Sequence, residues 1–434
     1  MKISKLRIKG LFGLYDYEID FSRKNEDDFT VITSPNGYGK TTILRIINSL
    51  NVKRLYYLYL LKYSELLFCF DDGSELVVSE PEEVKPEDRD SDQRKDIRQG
   101  LCLTWDRDEK ELCRFDYNAK QLQRSKQNIL NNFAVSRRYG IDFTDDGQLF
   151  FVDGEGGESL NTELAHLQGQ EQFLLQLATI QTDFIGANRI YTESHRERGV
   201  RSRVELPVLQ VVRELHLMLS QKVNEFQSNF QRLDSKLIEM LLDGAGKEIN
   251  EVEYKERAAH LQLLIEELNK FGLTNKQSLP AYRGENAKML DVYLIQMEEK
   301  LHYYIDLLPL MQLFDKNVRQ KHFANKTITL SPQHGLRIVS DNGDILSADM
   351  LSTGEQNQIV LLYNLIFKTP KGSVLLIDEP EGSLHVAWQN EFVSDMRTIA
   401  ASKGLQIVVA THSSIIVNNT PEEKVFDLYY LQKA

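Results

Sequence analysis

The stretch VITSPNGYGKTTIL, residues 31–44, constrains this chain more than any other. An apolar run ends in a loop bearing two glycines, and the loop opens straight into Lys40-Thr41-Thr42 and a helical pattern. Gly39-Lys40-Thr41 match the end of the phosphate-loop pattern GxxxxGK[ST], with Gly37 inside it and Ser34 in place of the first glycine. A loop of this kind turns its amide N–H groups onto phosphate oxygens at the positive end of a helix. Gly37 and Gly39 supply the unusual dihedrals that this requires. The expected phosphate-binding set is Ser34, Pro35, Asn36, Gly37, Tyr38, Gly39, Lys40, Thr41 and Thr42. Within it, Lys40 reaches the β- and γ-phosphates and the Thr41 hydroxyl ligates Mg²⁺.

A second stretch, SVLLIDEPEGSLH, lies more than three hundred residues further on. It reads as an apolar strand ending in two acids. In a parallel sheet such a strand delivers its last residues to the C-terminal edge, where α/β proteins bind ligands. Asp378 is placed to hold Mg²⁺, directly or through water, and Glu379 to orient or deprotonate an attacking water. VVATHSS repeats the design and brings His412 to the same edge, where an imidazole can hydrogen-bond a γ-phosphate oxygen. His166 and His195 have no such context, and His385 shares it only by following the acidic strand closely.

What lies between these stretches changes character twice. Residues 50–160 read as β-rich, with ELLFCFDDGSELVVSE as a hairpin turning at Asp-Gly and GQLFFVDGEGG as further strand and turn. SEPEEVKPEDRDSDQRKD reads as an exposed charged loop. From Pro207, apolar residues at Val208, Val212, Leu215, Leu219, Val223, Phe226, Phe230, Leu233, Leu237 and Leu241 fall at steps of three and four, the stripe of one long helix stopping near Gly244. At 1.5 Å per residue it spans about 55 Å. A second helix is expected over 249–271, and a third carries Leu290, Leu294, Met297, Leu301, Ile305 and Leu308. This lobe is too short for a long coiled-coil arm and reads as a bundle that packs or dimerises. Beyond residue 326 the pattern alternates again: strands near 326–330 and 335–340, a helix from Ser352, strands SVLLID and LQIVVAT with a helix between them, and a final strand VFDLYYL. That alternation implies a parallel sheet covered by helices. The expected division is 1–190, 191–325 and 326–434.

The helix start LSTGEQNQ, residues 351–358, carries a capping box in Ser352 and Glu355. Gly354 lets a phosphate approach the backbone, and the helix N-terminus bears partial positive charge. Ser352, Thr353, Gly354 and Glu355 are therefore a second candidate nucleotide-contacting set, although Ser-x-x-Glu also caps ordinary helices.

Composition excludes other classes. No run of about 18 apolar residues occurs, and the N-terminus lacks a signal-peptide core, so no membrane role is expected. Cys69, Cys102 and Cys113 have no CxxC spacing, which points to a reducing cytoplasm rather than a disulfide framework or a zinc site. The net charge of −12 argues against a protein that coats nucleic acid. Any DNA contact would be local, and Arg196, Arg198, Arg201 and Arg203 form the one cluster suited to it, unless they are a solvated or salt-bridged face.

Taken together, Ser34–Thr42, Leu351–Gln356, Val374–Pro380, Ser383–His385 and Ala410–Ser413 resemble the Walker A, signature, Walker B, D-loop and switch-histidine motifs of ABC-type ATPases. The wide gap between Lys40 and Ser352 is unlike transporter subunits and resembles the SMC, RecF and OLD branch. The resemblance implies an α/β fold: an ABC-type P-loop ATPase head split by a β-rich segment and a helical, short coiled-coil-like insertion. LSTGEQNQIVLLYNLIF followed by LLIDEPEGSLHVAWQ is similar to the stand-alone ATPases of bacterial anti-phage systems of the PARIS (AriA) and Septu (PtuA) types. FIGANRI resembles their Q-loop-like segment, with Asn188 where glutamine is usual.

The resemblance further implies ATP and Mg²⁺, with Glu379, Lys40 and His412 catalytic and Thr41 and Asp378 at the metal. The signature of one protomer would close over the nucleotide of another, which makes a homo-oligomer, a dimer or higher, joined through composite ATP sites. The implied role is a sensor or scaffold that holds and releases a separately encoded nuclease effector of Toprim or HNH type, triggered by a phage protein or DNA. The sequence ends soon after His412, leaving no room for the C-terminal Toprim nuclease of OLD proteins, and contains no HNH pattern. The alternative is a DNA-repair or chromosome-maintenance ATPase of RecF or SMC kind. A non-enzymatic module with a degenerate site is disfavoured by intact Lys40, Asp378, Glu379 and His412.

Overall fold

A computed structural model describes residues 1–22, 28–50, 54–79, 100–108, 110–118, 141–143, 149–151, 171–186, 206–321, 323, 325–384 and 386–432. Residues 80–96 of the charged loop, Asn188, the arginines at 196–203 and His166, His195 and His385 lie outside them. By its contacts the chain divides into two units. The first holds the described residues of 1–186 and 369–432, and the second those of 206–368. The signature stretch, grouped with the C-terminal lobe in the sequence reading, therefore packs with the helices of the second unit.

The first unit is organised by a five-stranded sheet. Its order is Thr182–Ile185, Val374–Asp378, Gln406–Thr411, Phe29–Thr33, Val425–Asp427. Every pairing is parallel. Strands from opposite ends of the chain thus lie side by side, with Thr411 opposite Thr33 and Asp378 opposite Ala410. Val374–Asp378 and Gln406–Thr411 are buried at every residue, as expected of parallel strands covered on both faces. A second, antiparallel sheet runs Tyr15–Asp20, Ile3–Leu11, Glu65–Phe70, Ser74–Ser79, Gly100–Arg107, Lys110–Asn118. The expected Asp-Gly hairpin is its Glu65–Phe70 and Ser74–Ser79 pair. The helix Lys40–Asn48 joins the two sheets: Ile43, Ile46 and Ile47 share one apolar core with Leu6, Ile8, Phe68, Leu376 and Val408.

The second unit contains the long helix Pro207–Leu242, which begins at its proline and closes in a Schellman turn at Gly244, the Ala245 N–H reaching the Met240 carbonyl at 2.9 Å. Val208, Leu215, Leu219 and Leu233 of the expected stripe are buried. Helix Ala287–His302 packs against it, and Glu251–Lys270 packs against Ala287–His302. The single helix expected through Leu308 is instead two, Ala287–His302 and Leu307–Gln320. Pro309 explains the break. Inside a continuous helix its ring would meet the carbonyl four residues back, whereas in the first turn of a new helix it is tolerated. The expected terminal strand VFDLYYL is likewise cut short: Asp427 accepts the Tyr429 N–H at 3.0 Å and starts a short helix, Leu428–Leu431.

Candidate functional site

Because all five strands of the parallel sheet run the same way, their C-terminal ends share one edge. That edge carries Ser34 after Thr33, Asp378 at its own strand end, His412 after Thr411, and Asp427. The glycine loop occupies it as the spacing predicts. Gly37 and Gly39 hold φ of 91° and 88°, and Gly39 caps the helix Lys40–Asn48 in a left-handed conformation. Ser34 and Lys40 are buried, Pro35, Asn36 and Gly37 are exposed, and Tyr38, Gly39, Thr41 and Thr42 are half-buried. The Tyr17 hydroxyl donates to the Tyr38 carbonyl at 2.9 Å, and Tyr38 packs against Tyr15 and Tyr429, which fixes the outer side of the loop.

Lys40 folds inward. Its Nζ lies 2.9 Å from the Ser34 carbonyl and 3.4 Å from that of Pro35. Burial lowers its pKa, while the carboxylates of Glu379, Asp378, Glu381 and Asp427 pull it back up. Thr41 Oγ1 donates to Asp378 Oδ1 at 3.1 Å, joining two motifs that stand 337 residues apart. Asp378 is buried, and burial raises its pKa. The neighbouring Glu379 adds to the rise, and the Thr41 hydroxyl, Arg45 and Lys40 oppose it.

Glu379 is one of few non-glycine residues with positive φ, 45°. Such strain in a non-glycine residue costs about 1–3 kcal/mol and persists where the surroundings over-determine it. Here its N–H donates to the Ala410 carbonyl at 2.9 Å, and Pro380 starts a 3₁₀ turn immediately after it. The turn leaves the Glu379 side chain solvent-accessible and sets Oε1 3.7 Å from His412 Nε2. Glu381, which the sequence reading passed over, accepts the His412 backbone N–H on Oε1 at 2.5 Å. Its only sequence signal is that it is the third acid within four residues of the strand end.

In the second unit, Ser352 caps the helix Thr353–Tyr363 with the full capping box: the Glu355 N–H meets Ser352 Oγ at 3.4 Å, and the Ser352 N–H meets Glu355 Oε2 at 2.8 Å. Ser352 and Thr353 are exposed, Gly354 is half-buried and Glu355 is buried. The free oxygen of Glu355 receives Lys326 Nζ at 3.0 Å, a partner with no sequence signal. Burial pushes Glu355 up, but the Ser352 N–H, the Lys326 ammonium and the Ser352 hydroxyl outweigh it and hold the carboxyl below its ordinary range.

The donor set fits Mg²⁺. Thr41 and Asp378 offer hard oxygens 3.1 Å apart. Neighbouring ligands of an octahedral Mg²⁺ at about 2.0–2.1 Å stand about 3 Å apart. Among the described residues no cluster of three His, Cys, Asp or Glu could cage a metal unaided. No helix among the described residues is long and apolar enough to cross a membrane.

Solved structures similar to this chain include SMC heads. The Smc head domain of Pyrococcus furiosus with an extended coiled coil, bound to the C-terminal domain of ScpA, is 14% identical over 96% of this chain and 92% of its own, with a TM-score of 0.34. An SmcHead bound to the C-winged helix domain of ScpA is 12% identical over 98% and 96%, at 0.36. The SMC head domain from Thermotoga maritima is 11% identical over 97% and 92%, at 0.33. No curated protein matches the chain. The family model described as AAA ATPase domain matches residues 1–417, and the chain belongs to that family of ATPases.

Proposed function

We propose that this ATPase works with Mg²⁺ at composite sites between copies of the chain, Ser352, Thr353, Gly354 and Glu355 of one copy closing over the nucleotide held by Ser34–Thr42 of another. The observation that carries the reading is the Thr41–Asp378 contact, made at the edge where Lys40, Glu379 and His412 also converge. The loop amides and the Lys40 ammonium would bind the phosphates, with Lys40 exchanging the Ser34 and Pro35 carbonyls for phosphate oxygens. Thr41 and Asp378 would hold Mg²⁺, which when bound neutralises charge developing on the transferred phosphoryl group. Glu379, solvent-accessible and with its backbone N–H bonded to the Ala410 carbonyl, would take the proton of the attacking water. His412 faces the same point and would donate to the γ-phosphate.

The test is phosphate release by the purified chain, with native mass measurement. Glu379→Gln should lose turnover by about 10²–10⁴-fold, keep ATP binding, and accumulate as ATP-bound dimers or higher assemblies. A monomer with and without ATP would sink the composite-site reading.

Beyond the chemistry, we read the protein as the sensor or scaffold of an anti-phage defence system whose closed form holds a separately encoded Toprim or HNH nuclease, triggered by a phage protein or DNA. The support is the resemblance carried by LSTGEQNQIVLLYNLIF and LLIDEPEGSLHVAWQ. Co-expression with the genomic neighbours, followed by mass measurement of the complex with and without ATP, tests it. Salt-sensitive, ATP-dependent DNA binding by the isolated protein, with no nuclease retained, would favour the RecF- or SMC-like reading instead.

A further inference from the structure

Two short turns at the sheet edge are tied together at two points. One tie is backbone to backbone, Glu379 N–H to the Ala410 carbonyl at 2.9 Å. The other runs through a side chain: Glu381 Oε1 takes the His412 N–H at 2.5 Å. Thr411 ends its strand and its hydroxyl already accepts the Ser413 N–H at 2.9 Å, so neither neighbour of His412 is free to shift alone. Glu381 is fixed in turn by the 3₁₀ geometry of Pro380–Ser383, in which its own carbonyl accepts the Leu384 N–H at 3.2 Å. Its second oxygen, Oε2, is buried and has no hydrogen-bond partner among the described residues. A half-used buried carboxylate is costly to keep. The bond it does make is charge-assisted, the stronger kind.

We propose that Glu381 is the positioning residue of the ATPase site: by holding the His412 amide it sets the imidazole at its working distance from Glu379, and it takes no part in proton transfer itself. The inference rests on the roles given above to His412 and Glu379. It assigns Glu381 an effect on turnover rather than on nucleotide binding, because the loop, Lys40 and Thr41 make their contacts without it.

Three variants test it: Glu381→Ala, Glu381→Gln and His412→Ala, each singly and with Glu381→Ala also combined with His412→Ala. Glu381→Ala should lower kcat by about 10–100-fold, the scale of misplacing a reacting group by about 1 Å. The dissociation constant for ATP, read by calorimetry, should stay within about threefold. Glu381→Gln keeps an acceptor for the amide and should recover turnover to within about fivefold of the parent. If Glu381 acts through the histidine, adding Glu381→Ala to His412→Ala should cost nothing further. A readout without nucleotide is also available. Hydrogen exchange in peptides spanning residues 406–417 should speed up in Glu381→Ala and remain slow in Glu381→Gln.

Wild-type turnover in Glu381→Ala, with His412→Ala impaired, would overturn the inference alone. Wild-type turnover in His412→Ala would instead overturn the reading of the site on which it rests. Glu381→Gln as impaired as Glu381→Ala would mean that the charge itself takes part in the chemistry, which also overturns it. Should Glu381→Ala fail to fold, Glu381→Ser, too short to reach the His412 amide, takes its place in every comparison.

Discussion

Replacing Gly39 by alanine forces the phosphate loop to give up one of two properties. Gly39 sits at φ 88°, ψ 21°, and its carbonyl takes the Ile43 N–H at 2.8 Å to begin the helix Lys40–Asn48. An alanine that kept this conformation would pay about 1–2 kcal/mol for the left-handed backbone. Its Cβ would stand 3.3 Å from Leu11 Cδ2 and 3.5 Å from Phe12 Cε2. Leu11 is fully buried, so the first contact needs a small shift of the core, about 1 kcal/mol at the lower end of overpacking costs. Restricting the unfolded chain returns about 0.4–1 kcal/mol. The net loss is therefore about 2 kcal/mol. Gly37→Ala is the control: its φ is 91°, but a Cβ there meets nothing within 4 Å, so only the backbone part remains, about 1 kcal/mol. Urea unfolding of the nucleotide-free protein measures both, at constant slope. If Gly39→Ala escapes the strain by turning to negative φ, stability is spared but the loop amides point away from the phosphates. ATP affinity should then fall at least about tenfold, the cost of losing roughly one charge-assisted bond. A Gly39→Ala protein with both the parent's urea midpoint and the parent's ATP affinity would refute the account of the loop.

Lys40→Met should leave nucleotide-free stability within about 1 kcal/mol, since relief of a buried ammonium offsets the lost carbonyl bonds. ATP affinity measured by calorimetry should fall by at least about 100-fold. Asp378→Asn should stabilise the nucleotide-free protein at neutral pH by about 1 kcal/mol while abolishing turnover. The folded pKa of Asp378 lies above its unfolded value. Its ionised form therefore costs stability above the folded pKa, and the cost disappears below the unfolded value of about 3.9, so the melting-temperature gain of Asp378→Asn should shrink toward pH 4. Lys326→Met leaves the Glu355 carboxylate buried without its cation and should cost about 1–2 kcal/mol in urea unfolding. Here the folded pKa is depressed, so the stabilisation exists above the unfolded value of about 4.3 and the deficit should fade as pH drops through and below that value. Without Mg²⁺, raising the salt concentration should strengthen ATP binding by screening the acidic edge, a dependence that vanishes or reverses with Mg²⁺ present.

The placement of the glycine loop, the acidic strand and the histidine strand was legible in sequence because each is a local pattern, an apolar run followed by a short polar end. Their neighbourhood followed from one further step, since parallel strands share an edge. What remained hidden is of two kinds. Lys326 and Glu355 meet only through packing, across a hairpin and a turn, and nothing in either residue announces the other. Pro309 was visible but was overridden by an apolar stripe that continues across the break, with Leu301 and Leu308 both buried although they lie on two helices. Asp427 is the same lesson at the last strand: a cap that competes with strand pairing reads as just another polar residue until its N–H partner is known.

The acidic character of the chain bears on how the site selects its ligand. At −12, the chain gives an ATP molecule no general reason to approach. At the sheet edge four carboxylates, those of Glu379, Asp378, Glu381 and Asp427, act on the ammonium of Lys40. A nucleotide triphosphate brought there alone would add negative charge to an edge already rich in it, and one buried lysine cannot offset that. A cation arriving with the phosphates changes the balance, because Asp378 then trades the cost of its own burial for a ligand bond. In the proposed site the carboxylates that repel free ATP would favour the magnesium complex, with Glu379 and Glu381 left to the roles proposed for them. Selection for the metal-bound substrate would then follow from gathering four acids at one edge, with Glu381 Oε2 still lacking a hydrogen-bond partner among the described residues.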